Sequence, residues 1–168
     1  LWAHGTDNAS CIPADNRVVL AVDTSADRQT TYVAAAGLRA DGLPHVELIA
    51  RRDGMLWVPH FLDLLRESWS SICEIAVQSK GCPAVDFLDR VREGKLRHLP
   101  QPAIEQQVSV AVTRRLGEVE VWDRAKSALQ ISGLIAESEA LYALETMQAV
   151  DAEPVKASAY SGHGLMIL

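Results

Sequence analysis

The sequence has few cysteines and no long apolar run. Its three cysteines, Cys11, Cys73 and Cys82, are odd in number and show no Cys-x-x-Cys spacing, so we expect reduced thiols rather than a disulfide framework or a zinc site. No segment approaches the roughly eighteen consecutive apolar residues that a membrane span requires. The first residues do not form a basic and apolar leader. We therefore expect a cytosolic protein rather than a secreted one.

The charge balance is acidic. The formal net charge of −6 argues against a protein coated with phosphate-binding residues. It does not exclude nucleic acid, because a metal-dependent nuclease can keep an acidic centre and confine its cations to one rim. The 16 Lys and Arg residues are enough for such a rim, and a mixed solvated surface remains the alternative. A length of 168 residues with 48% apolar content predicts one domain with a substantial core.

The stretch Arg17 to Asp23, which reads RVVLAVD, is the most informative segment. Its continuous apolar run is typical of a strand buried on both faces. The strand ends in a carboxylate, Asp23, and Asp27 follows in the same loop. An acid in this position either forms a turn or binds a metal ion, and the local pattern leaves both roles open.

The rest of the chain alternates between strand and helix patterns. Strands are predicted at 17–23, 30–38, 45–50, 72–77, 95–99 and 119–122, the first three as an antiparallel meander. Helices are predicted at 57–69, 84–93, 132–147 and from Pro100 to a close at Arg114 and Arg115. Residues 1–16 are predicted to be a linker or arm, and residues 151–168 a tail. This order predicts a mixed sheet with helices on both faces.

This element order resembles the ribonuclease H-like fold, and several segments are similar to the nuclease domain of phage terminase large subunits. They are VDTSADRQTTYVAAAG, IAVQSKGCPAVDFLDRV, RHLPQPAIEQQVSVAVTRRLG and VEVWDRAKSALQISGLIAESEALYAL. The closing SAYSGHGLMIL resembles the end of actinobacteriophage terminases. The resemblance covers roughly Arg17 to Leu168.

The resemblance implies a function. Such domains hydrolyse phosphodiester bonds of double-stranded DNA during genome packaging, with two Mg²⁺ or Mn²⁺ ions. It also implies a portal protein and a small terminase subunit as partners, in the cytoplasm of a phage-infected host. The chain lacks the pattern G-x-x-x-x-G-K-[S/T]. We therefore expect an upstream ATPase domain in the same polypeptide, with residues 1–16 as its linker, 17–150 as the nuclease domain and 151–168 as the tail.

The family takes its metal-binding carboxylates from the end of the first strand, the end of the fourth and the start of the last helix. Asp23 matches the first position and is the leading metal ligand. The other two positions carry Gln78 and Gln130. An amide oxygen can coordinate a cation but contributes no charge, so these residues are only possible substitutes.

Two acids of the last helix are candidates to complete the site. Glu137 falls within the apolar arc of the helical wheel, so it is predicted to face the sheet and to need either a metal ion or an Arg or Lys partner. Glu139 lies closer to the edge of the arc and is expected to be solvated unless it binds metal. Asp123 is expected to pair with Arg124 or Lys126.

Three hypotheses follow. The first is a two-metal endodeoxyribonuclease, in which Asp23 bridges the metal ions and Glu137 completes the pocket. The second is a module of the same fold that binds DNA or the portal and cuts poorly, because Gln78 and Gln130 remove negative charge. The third is a nuclease similar to junction resolvases.

Overall fold

A mixed five-stranded sheet forms the centre of the protein, whose computed structural model describes residues 1–77 and 84–152. The strands are β1 Val18–Thr24, β2 Thr30–Leu38, β3 Pro44–Asp53, β4 Ile72–Val77 and β5 Arg97–His98. Their order across the sheet is β4-β1-β2-β3-β5. The first three strands run antiparallel, β4 is parallel to β1, and β5 is parallel to β3. The predicted meander with added parallel strands is confirmed.

Helices cover both faces of this sheet. They are α1 Val58–Ser68, α2 Ala84–Arg92, α3 Pro102–Val110 and α4 Ser132–Ala152, with a short 3-10 helix at Trp2–Gly5. The larger core joins one sheet face to α2, α3 and α4, whereas α1 packs on the opposite face. Among the described residues, no helix is both long enough and apolar enough to cross a membrane.

Strand β1 is buried on both faces, as its apolar run predicts. Val19 and Ala21 point into the larger core under α4, while Val18 and Leu20 point toward α1. Because side chains alternate along a strand, Asp23 lies on the same face as Val19 and Ala21. The first predicted site residue is thereby placed on the α4 side of the sheet.

Helix α4 runs antiparallel to β1. Its first residue, Ser132, accepts a hydrogen bond from Arg124, which also binds Asp23 at the end of β1. Near its other end, Asp151 forms an ion pair with Arg17, just before β1 begins. The start of α4 therefore lies beside the end of β1.

The close of helix α3 differs from the prediction. The helix ends at Val110, and Arg114 and Arg115 lie on strand β6 Thr113–Leu116, which pairs with β7 Val119–Trp122. A two-residue turn joins the two strands, and its Gly117 has φ 65°, a conformation that glycine adopts without strain. Arg114 and Arg115, which were predicted to end α3, therefore lie on an exposed hairpin.

The N-terminal segment packs against the body of the protein. The Trp2 ring is buried and stacks on His98 with 3.8 Å between ring centroids. Asp7 accepts a hydrogen bond from Arg39 at 2.7 Å, and the Ser10 hydroxyl lies 2.7 Å from His45 Nδ1. The role of residues 1–16 as a linker to another domain stays a prediction, and residues 153–168 of the predicted tail lie outside the described residues.

Trp2→Ala tests whether this segment belongs to the folded unit. Loss of the buried ring should lower the free energy of unfolding by about 3 kcal/mol, because its contacts with the core are not replaced. Urea denaturation measures the change. Leu1→Ala is the control, since Leu1 is 50% exposed, and should cost less than about 0.5 kcal/mol. Equal stability of Trp2→Ala and the wild type would contradict the packing.

Candidate functional site

Asp23 lies at the end of β1, level with the end of β4. Val22, its neighbour in the chain, pairs with Val77, the last residue of β4. The Asp23 side chain is 0% exposed. Burial raises the pKa of its carboxyl above the usual range, and the hydrogen bond and positive charge of Arg124 oppose that rise. Asp23 thus occupies the predicted edge of the sheet, but as a buried group.

Arg124 is the partner of Asp23. Its Nη2 group forms an ion pair with Asp23 Oδ1. Its Nη1 group donates to the carbonyl of Thr24 and to the hydroxyl of Ser132, both at 3.1 Å. The guanidinium therefore joins the end of β1 to the first residue of α4. The other carboxylate oxygen of Asp23, Oδ2, is buried and has no hydrogen-bond partner among the described residues.

The expected role of Asp123 is wrong. Its carboxylate forms no ion pair within the described residues and instead accepts hydrogen bonds from the backbone N–H groups of Ala125 at 3.1 Å and Lys126 at 3.2 Å. Aspartate favours such turns because its short side chain reaches the backbone two or three residues ahead. This turn follows β7 directly and fixes the backbone from which Arg124 extends.

Glu137 faces the sheet, as the helical wheel predicts, and is fully buried. Neither of its carboxylate oxygens has a hydrogen-bond partner among the described residues. Burial and, to a smaller extent, the nearby charge of Glu47 raise its pKa to about 8. The backbone N–H of Leu48 lies nearby and lowers the pKa of Glu137 in part. Its own hydrogen bond goes to Gln101 Oε1 at 2.9 Å. Glu137 is consequently held mainly in its protonated, neutral form at pH 7.

Glu139 is buried as well, which makes the expectation of a solvated side chain wrong. Every residue from Ile131 to Leu141 is buried, because α3 and Trp122 pack on α4 in addition to the sheet. The helical wheel gave the wrong prediction for Glu139 because it assumes that only one face of α4 is covered. Whether Glu137 or Glu139 binds metal stays a prediction.

Among the other predicted residues, the described Asp27 and Gln130 form no hydrogen bond or ion pair with Asp23. Asp27 closes an exposed turn, in which its carboxylate accepts hydrogen bonds from the Ser25 hydroxyl and the Gln29 N–H. Gln130 is exposed at the residue before Ile131. Gln78 lies outside the described residues. Within residues 1–77 and 84–152, no three His, Cys, Asp or Glu side chains form a group suited to a metal ion.

This donor set does not fit two divalent cations. Mg²⁺ and Mn²⁺ bind where several charged oxygens converge. Within the described residues no such group forms, and the Asp23 carboxylate already has Arg124 as its ion-pair partner. Sequence reasoning missed that contact because 101 residues separate the two partners and no local pattern marks a long-range ion pair.

Solved structures share this arrangement of sheet and helices. The HK97 bacteriophage large terminase matches with a TM-score of 0.66 and 16% identity, over 84% of this chain and 42% of its own. The large terminase nuclease of the thermophilic phage G20c matches with a TM-score of 0.55 and 12% identity, over 78% of this chain and 84% of its own. The chain has the fold of phage large-terminase nuclease domains.

This terminase nuclease fold confirms the predicted ribonuclease H-like class, a mixed sheet with helices on both faces. The chain spans less than half of the HK97 protein. A second structure of the G20c nuclease contains bound magnesium and matches with a TM-score of 0.50 and 12% identity, over 78% of this chain and 83% of its own. No protein-family model matches the chain, and a comparison with curated proteins finds no match.

Glu137→Gln tests the protonation of the buried acid. In the folded wild type the pKa of Glu137 is about 8, against 4.5 for a free glutamate side chain. Raising the pH through this window favours the unfolded state by up to about 1.4 kcal/mol per pH unit. The uncharged variant should escape this loss and become more stable than the wild type above pH 8.

The measurement is urea denaturation between pH 5 and pH 9. Glu118→Gln is the matched control, since Glu118 is exposed in the β6–β7 turn and its substitution should leave the pH dependence unchanged. A wild type and a Glu137→Gln variant with parallel pH profiles would show that Glu137 is ionised in the folded protein.

Proposed function

We propose that this chain is the nuclease-fold module of a phage DNA-packaging terminase and that it engages double-stranded DNA at the edge of the sheet where β1 ends. The likeness in fold to terminase nucleases over most of the chain supports the assignment. The observation that carries the proposal is the distribution of cations around this edge.

Cations close to the Asp23 edge lack acidic partners. The hairpin after β1 carries Arg28, the end of β3 carries Arg51 and Arg52, and the turn after β7 carries Lys126. All four are exposed, and none forms a salt bridge within the described residues. Five other cations are in ion pairs, namely Arg17, Arg39, Arg90, Arg92 and Lys95. Four more described cations without a salt bridge lie on other elements, namely Arg66 on α1, Arg97 on β5, and Arg114 and Arg115 on β6. Half of the described cations without an acidic partner therefore surround this one edge, which favours contact with phosphate there.

Aromatic rings lie beneath two of these arginines. The Arg51 guanidinium lies 5.7 Å from the centre of the Tyr32 ring, and Tyr32 pairs in register with Asp23. Arg52 lies 5.1 Å from the Trp57 ring on the other side of the strand. Such contacts restrict the long side chains and keep their charge at the surface. A phosphate backbone lying along this edge would meet a guanidinium on each face of β3.

The proposed module can act on DNA in two ways, which we call the two forms of the function. In one, the module is a two-metal endonuclease that uses Mg²⁺ or Mn²⁺, with Asp23 and Glu137 as ligands. In the other, it binds DNA without cutting it. The pairing of Asp23 with Arg124 and the burial of Glu137 favour the second form, because neither leaves free negative charge for a cation.

The proposal extends to the surroundings of the module. More than half of the HK97 large terminase has no counterpart in this chain, which agrees with an ATPase domain elsewhere in the same polypeptide. We propose the portal protein and the small terminase subunit as further partners, in the cytoplasm of the infected host. Co-purification with each candidate partner tests this assembly.

Arg51→Ala/Arg52→Ala tests the DNA-binding edge. The double variant should bind duplex DNA several-fold more weakly regardless of sequence, because its lost contacts are to phosphates. The slope of log K against log salt should fall by about 1 for each contact removed. Fluorescence anisotropy in EDTA measures both quantities. Arg92→Ala is the control, since Arg92 ends α2 and pairs with Asp89. Equal losses in the two variants would contradict the proposed edge.

Plasmid nicking with Mn²⁺ separates the two forms of the function. The non-cutting form predicts that the wild type nicks no faster than Asp23→Asn. Nicking that requires Asp23 would instead establish the endonuclease form. A matched assay on a branched duplex covers the resolvase hypothesis, since cleavage of that substrate alone would replace the packaging assignment.

A further inference from the structure

We infer that Arg124 is the resident cation of the Asp23 site and occupies the place that a divalent metal ion would need. This inference deepens the proposed function, on which it rests for the assignment of the site. It explains how a chain with Gln78 and Gln130 at two expected acidic positions can still keep a buried carboxylate at the third.

The guanidinium is fixed by its surroundings. It bonds to three oxygen atoms, on Asp23, Thr24 and Ser132, which belong to the end of β1 and the start of α4. The Asp123 turn fixes the backbone on both sides of it, through the N–H groups of Ala125 and Lys126. The side chain is only 24% exposed. These contacts restrict the side chain far more than a surface arginine is restricted.

The charge balance leaves no place for a metal ion. The one negative charge of Asp23 is matched by the one positive charge of Arg124, so a divalent cation would approach a neutral site. It would have to displace the guanidinium and break all three of its hydrogen bonds. Two of the candidate acids do not offset that loss: Glu137 lies near Glu47 and Leu48 of β3 rather than at the end of β1, and Asp27 is engaged in its own turn. Buried Asp23 without any cation would be an uncompensated charge, which proteins rarely tolerate.

Arg124 also gives the site hydrogen-bond donors with which to bind a phosphate group. A guanidinium has five N–H groups, and three are used by Asp23, Thr24 and Ser132. The remaining donors and the exposed part of the side chain suit a phosphate oxygen of DNA. In this reading the site contacts a phosphodiester through arginine, without a metal ion.

The first test measures metal binding directly. Mn²⁺ is titrated into the wild type and into Asp23→Asn, and free Mn²⁺ is followed by electron paramagnetic resonance. The inference predicts equal binding by both proteins, and equal melting temperatures with and without millimolar Mn²⁺. Tighter binding by the wild type than by Asp23→Asn would overturn it. This readout involves no DNA, so it stands even if the proposed DNA binding fails.

The second test removes the guanidinium. Arg124→Ala should gain a Mn²⁺-dependent rise of several degrees in melting temperature, because Asp23 is then without a cation. The double variant Arg124→Ala/Asp23→Asn should show no such rise. Arg115→Ala, on the exposed strand β6, should behave as the wild type. Equal Mn²⁺ effects in the single and double variants would mean that Arg124 does not occupy a cation position. If Arg124→Ala does not fold, the comparison of the wild type with Asp23→Asn decides the question.

Discussion

The packing of α4 across β1 and β2 determines where the polar groups of the candidate site lie and how deeply they are buried. The facing strands carry small residues, among them Ala21, Ala34 and Ala36, all fully buried, so the helix approaches the sheet closely. That close approach places Ser132 beside the end of β1 and buries Glu137 over the sheet. A helix that lay further out would leave both groups in water, with ordinary protonation and no need for fixed partners.

Asp23 and Glu137, two buried acids between α4 and the sheet, are stabilised in opposite ways. Asp23 forms an ion pair with the Arg124 guanidinium and can remain ionised. Glu137 has no hydrogen-bond partner among the described residues and keeps its proton up to a pKa of about 8. The difference comes from position, because Asp23 lies at the end of its strand where the Asp123 turn can deliver Arg124. Glu137 lies over the middle of the sheet, where no described cation reaches. Position therefore decides which carboxylate can take part in ionic chemistry.

The elements that local patterns control were predictable from sequence, and the long-range contacts were not. The apolar run of β1, the boundaries of β4 and the inward direction of Glu137 all follow from periodicity. The β6–β7 hairpin was missed because two arginines before a glycine also mark a helix end. The partner of Asp23 was missed for a different reason, since a contact across 101 residues depends on how β7 and α4 pack rather than on either sequence.

The burial of α4 on all sides between Ile131 and Leu141 also has a kinetic meaning. A side chain such as Glu137 reaches water only when the helix moves away from the sheet or the outer elements open. Its proton therefore exchanges with solvent at the rate of such opening events, which are far slower than proton transfer at a surface. After a rapid change in pH, the protein would keep its earlier charge state in the core until it next opens, and its interior would respond with a delay that its surface does not show.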